Sequence, residues 1–478
     1  MNLSNTISQQ QKFLFLNPPA PEIVIRDYYC SKSSRSNYLF PPIDFVLQSG
    51  VLANDYQLFF IDSVCDHLTV AETSAQIDAL NPDVIFFLAG AVNHPADLQF
   101  IANLARTDRI LIGSGDLFLS SPTKWLQDHP YIDALLLDFT TRDLQYYLRR
   151  QYHKIERMAY RSQTGEIIEV NAPGELSAIE VDIPQHRLFM RPGYRFPFAR
   201  SPDFAVFLTD FGCPFQCTFC VMAALPHRSR PNREALAELH SLHEMGIREL
   251  FWMNQTFAVH KKSALELLHE MQGFSPLFGW TAFCRPDLLD EQLLVQMKKA
   301  GCHTMIIGVE NGSDEILQRY KKGYTLRDIT AAFTLCRKHG IQTVGTFILG
   351  LPGETEATIR ATSRLACDLD CDYASFHVAV PRAATQMRQD AIDDGRIAPD
   401  HMTMDQSGKH ITFAPEGIPP QRLVVLKRQA VLGFYLRPRF LARKLLRRRS
   451  LYEWKNILYQ GFSLLWNNTF DKGKLWGK

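Results

Sequence analysis

The feature that most constrains this chain is a group of three closely spaced cysteines. Three residues separate Cys213 from Cys217, and two separate Cys217 from Cys220. A regular helix or strand of that length does not aim three thiols at one point, whereas a loop does, and the Gly-Cys-Pro start favours a loop. Three converging thiolates suit zinc or an iron–sulfur cluster. A closed zinc site needs a fourth protein ligand, whereas a cluster held by three cysteines keeps one iron open for a substrate or cofactor.

This spacing, with the aromatic Phe219 just before the last cysteine, closely resembles the signature loop of the radical S-adenosylmethionine (SAM) enzymes. The resemblance implies a [4Fe–4S] cluster on Cys213, Cys217 and Cys220, whose open iron chelates the amino and carboxylate groups of SAM. It also places Phe219 beside SAM. On the spacing alone, a zinc loop or a chance cluster of cysteines is the alternative.

Length and composition limit the classes of protein to consider. A chain of 478 residues exceeds what one core supports, so two or three domains are expected. The net charge of +2 gives no reason to expect nucleic acid as a main partner. No apolar run approaches the roughly 18–20 residues of a membrane span, and the polar N-terminus lacks a signal core. We therefore expect a cytoplasmic protein, in which ten cysteines favour metal binding or buried thiols over disulfides.

Residues 1–181 alternate short apolar runs with stretches of helical period. This alternation predicts an open, doubly wound, mostly parallel sheet, in which ligands bind at the carboxyl ends of the strands. Gly90, Gly113 and Gly115 fall at such ends. Glycine permits close approach of the backbone to a ligand but also simply makes tight turns, so both interpretations stay open. The apolar runs are Lys12–Leu16, Gln57–Ile61, Asp83–Leu88, Arg109–Ile112 and Ala134–Leu137.

A doubly wound domain ahead of the cysteine loop resembles the layout of the cobalamin-binding subgroup of radical SAM enzymes, over most of the chain. The resemblance implies cobalamin near Gly90, Gly113 and Gly115. The Asp-x-His-x-x-Gly motif of many cobalamin domains is absent, as it often is in this subgroup, which implies a cobalt without a protein imidazole. The segment Arg26–Tyr38 is polar, aromatic and long for a connection, and we expect it to line the cobalamin or substrate cavity.

A second alternation of strands and helices occupies residues 201–400, after a linker at residues 182–200. Its six strands predict a partial (β/α)6 barrel with the chemistry at the carboxyl ends of the strands. The cysteine loop follows the first strand, where such a site needs it. The predicted strands are Phe204–Leu208, Leu250–Met253, Gly279–Cys284, Thr304–Val309, Thr343–Leu349 and Tyr373–Val380.

The residues that follow these strands match the family's pattern. Relatives usually carry an acidic residue near Asn254, in a region that contacts the SAM amino group; asparagine offers an acceptor without the charge. Arg285 follows the third strand, is suited to pair with a carboxylate, and is predicted from the resemblance to contact SAM. The resemblance also places Glu310 near SAM, and Gly350 and Gly353 beside its adenine or ribose.

Residues 401–478 predict a helical C-terminal segment with a basic cluster among leucines at Arg443–Arg449. Two interpretations stay open: a solvated helix face, or docking to an anionic membrane surface or a phosphorylated lipid-like substrate. The subgroup that the chain resembles includes enzymes acting on tetrapyrroles and hopanoids, so a hydrophobic small-molecule substrate fits.

The resemblance implies an enzyme that reductively cleaves SAM to a 5′-deoxyadenosyl radical and uses cobalamin to methylate an unactivated carbon. The first alternative is the same radical start followed by oxidation, cyclisation or ring contraction. A non-catalytic cobalamin or iron–sulfur sensor is the alternative from another class, although a motif at every strand end argues against it. A one-electron reductant such as flavodoxin or ferredoxin is the implied protein partner.

Overall fold

The computed structural model describes residues 10–27, 31–171, 178–179, 181–402, 404–408, 411, 413–446 and 450–469. It confirms the predicted α/β class, with a doubly wound sheet, a six-stranded partial barrel and a helical C-terminal segment. The strands are β1 (Lys12–Asn17), β2 (Val24–Ile25), β3 (Lys32–Ser33), β4 (Gln57–Asp62), β5 (Val84–Leu88), β6 (Ile110–Ser114), β7 (Ala134–Leu136), β8 (Arg157–Arg161), β9 (Ile167–Asn171), β10 (Ala205–Phe207), β11 (Asp210–Phe211), β12 (Arg228–Ser229), β13 (Glu249–Trp252), β14 (Gly279–Cys284), β15 (Cys302–Glu310), β16 (Gln342–Leu349) and β17 (Tyr373–Val378). The helices are α1 (Ile43–Leu52), α2 (Val70–Leu80), α3 (His94–Ala102), α4 (Pro122–Asp128), α5 (Asp143–Leu148), α6 (Asn232–Glu244), α7 (Lys261–Met271), α8 (Glu291–Lys299), α9 (Asp314–Arg319), α10 (Leu326–Lys338), α11 (Glu356–Asp368), α12 (Gln386–Asp393), α13 (Pro420–Tyr435), α14 (Pro438–Leu446) and α15 (Leu451–Thr469).

The N-terminal sheet has seven strands in the order β4-β1-β5-β6-β7-β8-β9. Its first five strands are parallel, and β1 and β5 are apolar and buried along almost their whole length because helices cover both faces of the sheet. The hairpin of β8 and β9 extends the sheet in antiparallel sense. The sequence analysis did not find this hairpin, because β9 is half exposed and its apolar pattern is weak.

The second sheet has six parallel strands in the order β10-β13-β14-β15-β16-β17. Helices connect successive strands, and each buries one apolar stripe: on α10 the buried residues include Ile329, Phe333 and Cys336, at helical spacing. Burying a side chain such as Phe333 contributes roughly 1.5–3 kcal/mol. Capping boxes on Thr325 and Thr355 begin α10 and α11, which fixes where the preceding strand-end loops stop.

The segment predicted as a linker is packed against both sheets. Phe189, Tyr194 and Phe196 are buried, and the Tyr194 hydroxyl donates to Asp62 Oδ2 at 2.6 Å. Phe196 also stacks on Phe251 of the barrel, with ring centroids 4.0 Å apart. Residues 182–200 therefore contribute to the core between the sheets, and the proposed domain boundaries at 181 and 200 stay a prediction.

The carboxyl ends of the two sheets face each other. Arg382, which follows β17 of the barrel, pairs with Asp116, which follows β6, at 3.3 Å. Asp116 also accepts hydrogen bonds from the backbone of Ser31 at 2.7 Å and of Ala91 at 3.0 Å. The backbone N–H of Ser33 in turn donates to Asp405 at 3.4 Å. The part of segment 26–38 that is described thus lies between the two strand edges; residues 28–30 lie outside the described residues.

The C-terminal helices close the open side of the barrel. Helix α13 packs on α11 and β17, where Phe434 contacts Phe376 edge to face. Of the predicted basic cluster, Arg443 pairs with Asp370 at 2.9 Å, and residues 447–449 lie outside the described residues. Among the helices that the structure describes, none is long and apolar enough to cross a membrane.

Candidate active site at the barrel strand ends

The cysteine loop begins directly after β10 and is closed at its base by a two-stranded ribbon. Within this ribbon, β11 pairs antiparallel with β12, so that both ends of the loop are held together. Gly212 has a φ of +73°, and a Cβ at this position would collide with the carbonyl group of Pro226. The loop that the Gly-Cys-Pro sequence predicted is therefore present, and glycine is required at its first turn.

The three cysteines share one environment within this loop. Cys217 is buried and Cys213 and Cys220 are half-buried; the Cys220 N–H donates to the Cys217 carbonyl at 3.0 Å. Burial raises the pKa of the Cys220 thiol to about 12, with the nearby Cys217 and Cys213 also raising it and the Met222 N–H opposing them. Cys213 Sγ lies 3.6 Å from Thr256 Oγ1.

Among the residues that the structure describes, no three His, Cys, Asp or Glu side chains form a group that could hold a metal ion. The chemistry of the donors is nevertheless specific, because cysteine sulfurs are the soft ligands that iron–sulfur clusters use. The donor set of three sulfurs on one loop therefore fits an iron–sulfur cluster on Cys213, Cys217 and Cys220.

Arg285 links the cysteine loop to the end of the third barrel strand. Its guanidinium lies 3.9 Å from Cys217 Sγ and 3.6 Å from the centroid of the Phe215 ring. Asp287 pairs with it at 2.9 Å, and the carbonyl of Lys322 accepts from it at 2.6 Å. The carboxylate partner that the sequence led us to expect is thus present within the chain, and a contact between Arg285 and SAM stays a prediction.

Glu310 occupies a strained position at the end of β15. Its φ is +64°, in the left-handed region that non-glycine residues rarely adopt, and the pairing register with β16 shifts between Gly308 and Glu310. The Tyr324 hydroxyl donates to the Gly308 carbonyl at 2.5 Å and so helps to hold this turn. Such strain costs on the order of 1–3 kcal/mol and is typical of functional sites.

Lys322 is a site residue that the sequence analysis missed. Its ammonium is buried, donates to Glu310 Oε1 at 3.1 Å and lies 5.3 Å from the centroid of the Phe219 ring. Burial opposes its charge, but Glu310, Tyr324 and Cys217 outweigh burial and raise the pKa of Lys322. The residue therefore remains a cation between the cysteine loop and the Glu310 carboxylate.

Asn254 has its amide group fully engaged by the protein. Its Oδ1 accepts from the backbone N–H groups of Thr209 at 2.9 Å and Asp210 at 3.0 Å. Its Nδ2 donates to Thr209 Oγ1 at 2.8 Å and to Asp210 Oδ2 at 2.6 Å. Because these bonds use both donors and both lone pairs, the geometry points to a positioning role for Asn254 at the base of the cysteine loop. The contact between Asn254 and the SAM amino group stays a prediction.

The tight loop after β16 contains two glycines, and the buried carboxylate of Glu354 accepts hydrogen bonds from its backbone. Gly350 and Gly353 have φ values of +87° and +89°. Glu354 is buried and accepts from the N–H groups of Gly350 at 2.7 Å and Leu351 at 2.9 Å, and from Asn311 Nδ2 at 2.7 Å. These turns require glycine whether or not a ligand is bound, so the contact of Gly350 and Gly353 with the SAM nucleoside stays a prediction.

Glu354 is expected to make stability depend on pH. Burial raises its pKa from 4.5 to about 7, although Asn311, Leu351 and Gly350 donate hydrogen bonds that lower it. Because the pKa is higher in the folded state, protonated Glu354 contributes about 3 kcal/mol to the free energy of unfolding below pH 4.5. This contribution is lost as the pH rises through 7. Since glutamine does not titrate, the thermal midpoint of Glu354→Gln should rise relative to that of the wild type as the pH increases from 4.5 to about 7.

Glutamine removes the titration while its oxygen still accepts from the two backbone groups. The control is Glu315→Gln on the exposed side of α9, which should follow the wild-type pH profile. Parallel profiles for Glu354→Gln and the wild type would show that folding does not raise the pKa of Glu354.

The glycines predicted to contact cobalamin pack against the protein itself. A Cβ on Gly90 would lie 2.7 Å from Ser31 Cβ, and one on Gly113 would lie 2.9 Å from the Phe118 ring. A Cβ on Gly115, whose φ is +128°, would collide with the carbonyl of Ala89. These neighbours explain the glycines without a ligand, so the residues that would contact cobalamin stay a prediction.

Comparisons with known proteins place this site in a family. Residues 209–366 match the Radical SAM superfamily. An uncharacterized methyltransferase of Pyrococcus horikoshii is 27% identical, over 84% of this chain and 89% of its own length. The anaerobic magnesium-protoporphyrin IX monomethyl ester cyclase of Rubrivivax gelatinosus is 24% identical over 74% of this chain and 67% of its own.

Two solved structures share the architecture over most of the chain. The cobalamin-dependent SAM radical enzyme OxsB, with aqua-cobalamin and SAM bound, superposes with a TM-score of 0.67 at 14% identity, covering 97% of this chain and 74% of OxsB. The radical SAM methyltransferase TsrM of Kitasatospora setae, with cobalamin and a [4Fe–4S] cluster bound, gives 0.61 at 18% identity, covering 81% and 75%. Residues 209–366 thus form a radical SAM domain, and the chain shares the fold of OxsB and TsrM over most of its length.

Proposed function

We propose that the protein is a cobalamin-dependent radical SAM methyltransferase that acts on an unactivated carbon of a small-molecule substrate. The observation that carries the proposal is the apposition of the two sheets at their carboxyl ends, where Arg382 pairs with Asp116. Ligands of both fold types bind at these ends. Cofactors bound to the two edges would therefore face one another across a single substrate position.

The chain's own residues prepare the barrel for a charged cofactor. Arg285 and Lys322 place positive charge beside the cysteine loop, where the three sulfurs would hold the cluster. Glu310 offers a carboxylate on the other side of Lys322, where an amino group or ribose hydroxyl of SAM can be bound. When bound, the cluster and SAM supply a reductively generated organic radical, and cobalamin supplies a methyl group.

The name of one relative supports an alternative reaction. The Rubrivivax gelatinosus protein is named as a cyclase, so cyclisation, oxidation or ring contraction from the same radical start remains the alternative reaction. The reaction needs an external electron in either case, and we propose flavodoxin or ferredoxin as the donor. A tetrapyrrole-like or otherwise hydrophobic substrate fits both outcomes.

Full-length protein, reconstituted without oxygen with iron, sulfide and hydroxocobalamin, should retain the cluster and cobalamin together. A reductant should then convert added SAM to methionine and 5′-deoxyadenosine. The Co(II) form should show no nitrogen splitting from a lower ligand in electron spin resonance, since the sequence lacks the histidine motif. The optical spectrum should accordingly be that of base-off cobalamin.

The possible outcomes of this experiment distinguish the methyltransferase from the alternative reactions and from a sensor. Cluster formation and SAM cleavage without retention of cobalamin would favour oxidation or cyclisation. Retained cofactors without SAM cleavage would favour a sensor. Nitrogen splitting would contradict the missing imidazole, and His67, exposed in the turn after β4, would be the first histidine to replace.

A further inference from the structure

Helix α15 presents its apolar side outwards and its polar side to the protein. Leu451, Leu458 and Phe462 are 82%, 65% and 67% exposed, and their spacing places them on one face. On the opposite face the buried residues are polar: Asn456, Gln460 and Ser463. A surface helix in a soluble protein normally has the reverse arrangement.

The buried polar residues fix this orientation. Asn456 Nδ2 donates to the carbonyl of Phe196 at 3.0 Å, and Gln460 Nε2 donates to Asn456 Oδ1 at 2.7 Å. Asn37 Nδ2, from the loop between the two sheets, donates to Ser463 Oγ at 3.1 Å. Turning the apolar face inwards would break these bonds and leave the carbonyl of Phe196 without its donor, so the outward face of α15 is set by the fold.

The apolar surface continues into α14, where Leu446 is exposed, and the sequence on both sides of Leu446 is basic. Residues 437–455 contain eight lysines and arginines and one acidic residue, Glu453. Among the described basic residues, Arg439 and Lys455 are exposed to solvent. Leucine and phenylalanine on one helix face with arginine and lysine beside them are the features of a helix that lies in a membrane interface.

We infer that α14 and α15 form a docking surface for an anionic lipid bilayer. The exposed leucines and phenylalanine insert among the acyl chains, and the exposed Arg439 and Lys455 pair with lipid phosphates. A second copy of this chain would place the same basic surfaces against each other, which is unfavourable. Because Ser463 on the opposite face of α15 bonds Asn37, docking also holds the loop between the two sheets about one helix diameter from the lipid, which suits a hydrophobic substrate.

Sedimentation of the full-length protein with lipid vesicles tests this inference without any cofactor or substrate. The protein should pellet with vesicles of equimolar phosphatidylcholine and phosphatidylglycerol and stay in solution with pure phosphatidylcholine. High salt should weaken the binding, since charge contributes to it. The variant Leu458→Ser/Phe462→Ser should lose at least about tenfold in affinity, which corresponds to about 1.4 kcal/mol.

The control variant is Val70→Ser/Leu277→Ser, which removes two exposed apolar side chains distant in sequence from α15. It should bind vesicles like the wild type. The inference is overturned if the wild type binds neither kind of vesicle, or if both double variants lose binding equally. It is also overturned if the wild type is a dimer that only Leu458→Ser/Phe462→Ser dissociates, because the face would then be a contact between copies.

Discussion

Protein in which Cys213, Cys217 and Cys220 are all replaced by alanine should hold no iron–sulfur cluster after anaerobic reconstitution. The wild type should hold about four irons per chain and show a reducible cluster, because the three thiols are the donor set that such a cluster needs. Iron and sulfide analysis, together with the visible absorption of the cluster, measures the difference. SAM cleavage should disappear with the cluster.

The matched control is Cys367→Ala, since Cys367 is also half-buried but lies on α11, outside the loop. It should retain the full iron content. Cys213 and Cys220 are partly exposed, so the triple variant should keep the secondary structure of the wild type by circular dichroism. A full complement of iron in the folded triple variant would show that other residues bind the cluster.

The sequence predicted the fold well because its signals are local. Strand β14 has the bounds that the apolar pattern predicted, and β15 is longer by a few residues at its ends. The cysteine loop lies after the first barrel strand as expected, since strand periodicity and the Gly-Cys-Pro turn are both local. The β8–β9 hairpin was missed because half-exposed strands have weak alternation.

Individual site contacts were harder to predict because tertiary partners decide them. Asn254 bonds Thr209 and Asp210, which are distant in sequence, through its whole amide group, and its place after a strand does not reveal these partners. Lys322 lies in a turn after α9 and has no motif, yet folding brings it against Glu310. The orientation of α15 likewise depends on Asn37 and Phe196, which no helical pattern reveals.

The second large effect is expected for Glu310→Ala, which should weaken SAM binding while leaving the iron content unchanged. Glu310 is the carboxylate at the end of β15, held in a strained turn beside Lys322. Losing one charge-assisted hydrogen bond to SAM costs about 2 kcal/mol, or roughly thirtyfold in affinity. Calorimetric titration of the reconstituted enzyme with SAM, alongside iron analysis, measures both quantities.

The control Glu315→Ala removes an exposed carboxylate from α9, and it should bind SAM like the wild type. The double variant Glu310→Ala/Lys322→Met separates a direct contact from an indirect effect. Removing Glu310 alone leaves the buried Lys322 ammonium without its carboxylate, which by itself disturbs the site. If Glu310 contacts SAM, the double variant should bind as weakly as Glu310→Ala; recovery of affinity in the double variant would mean that Glu310 acts only by neutralising Lys322.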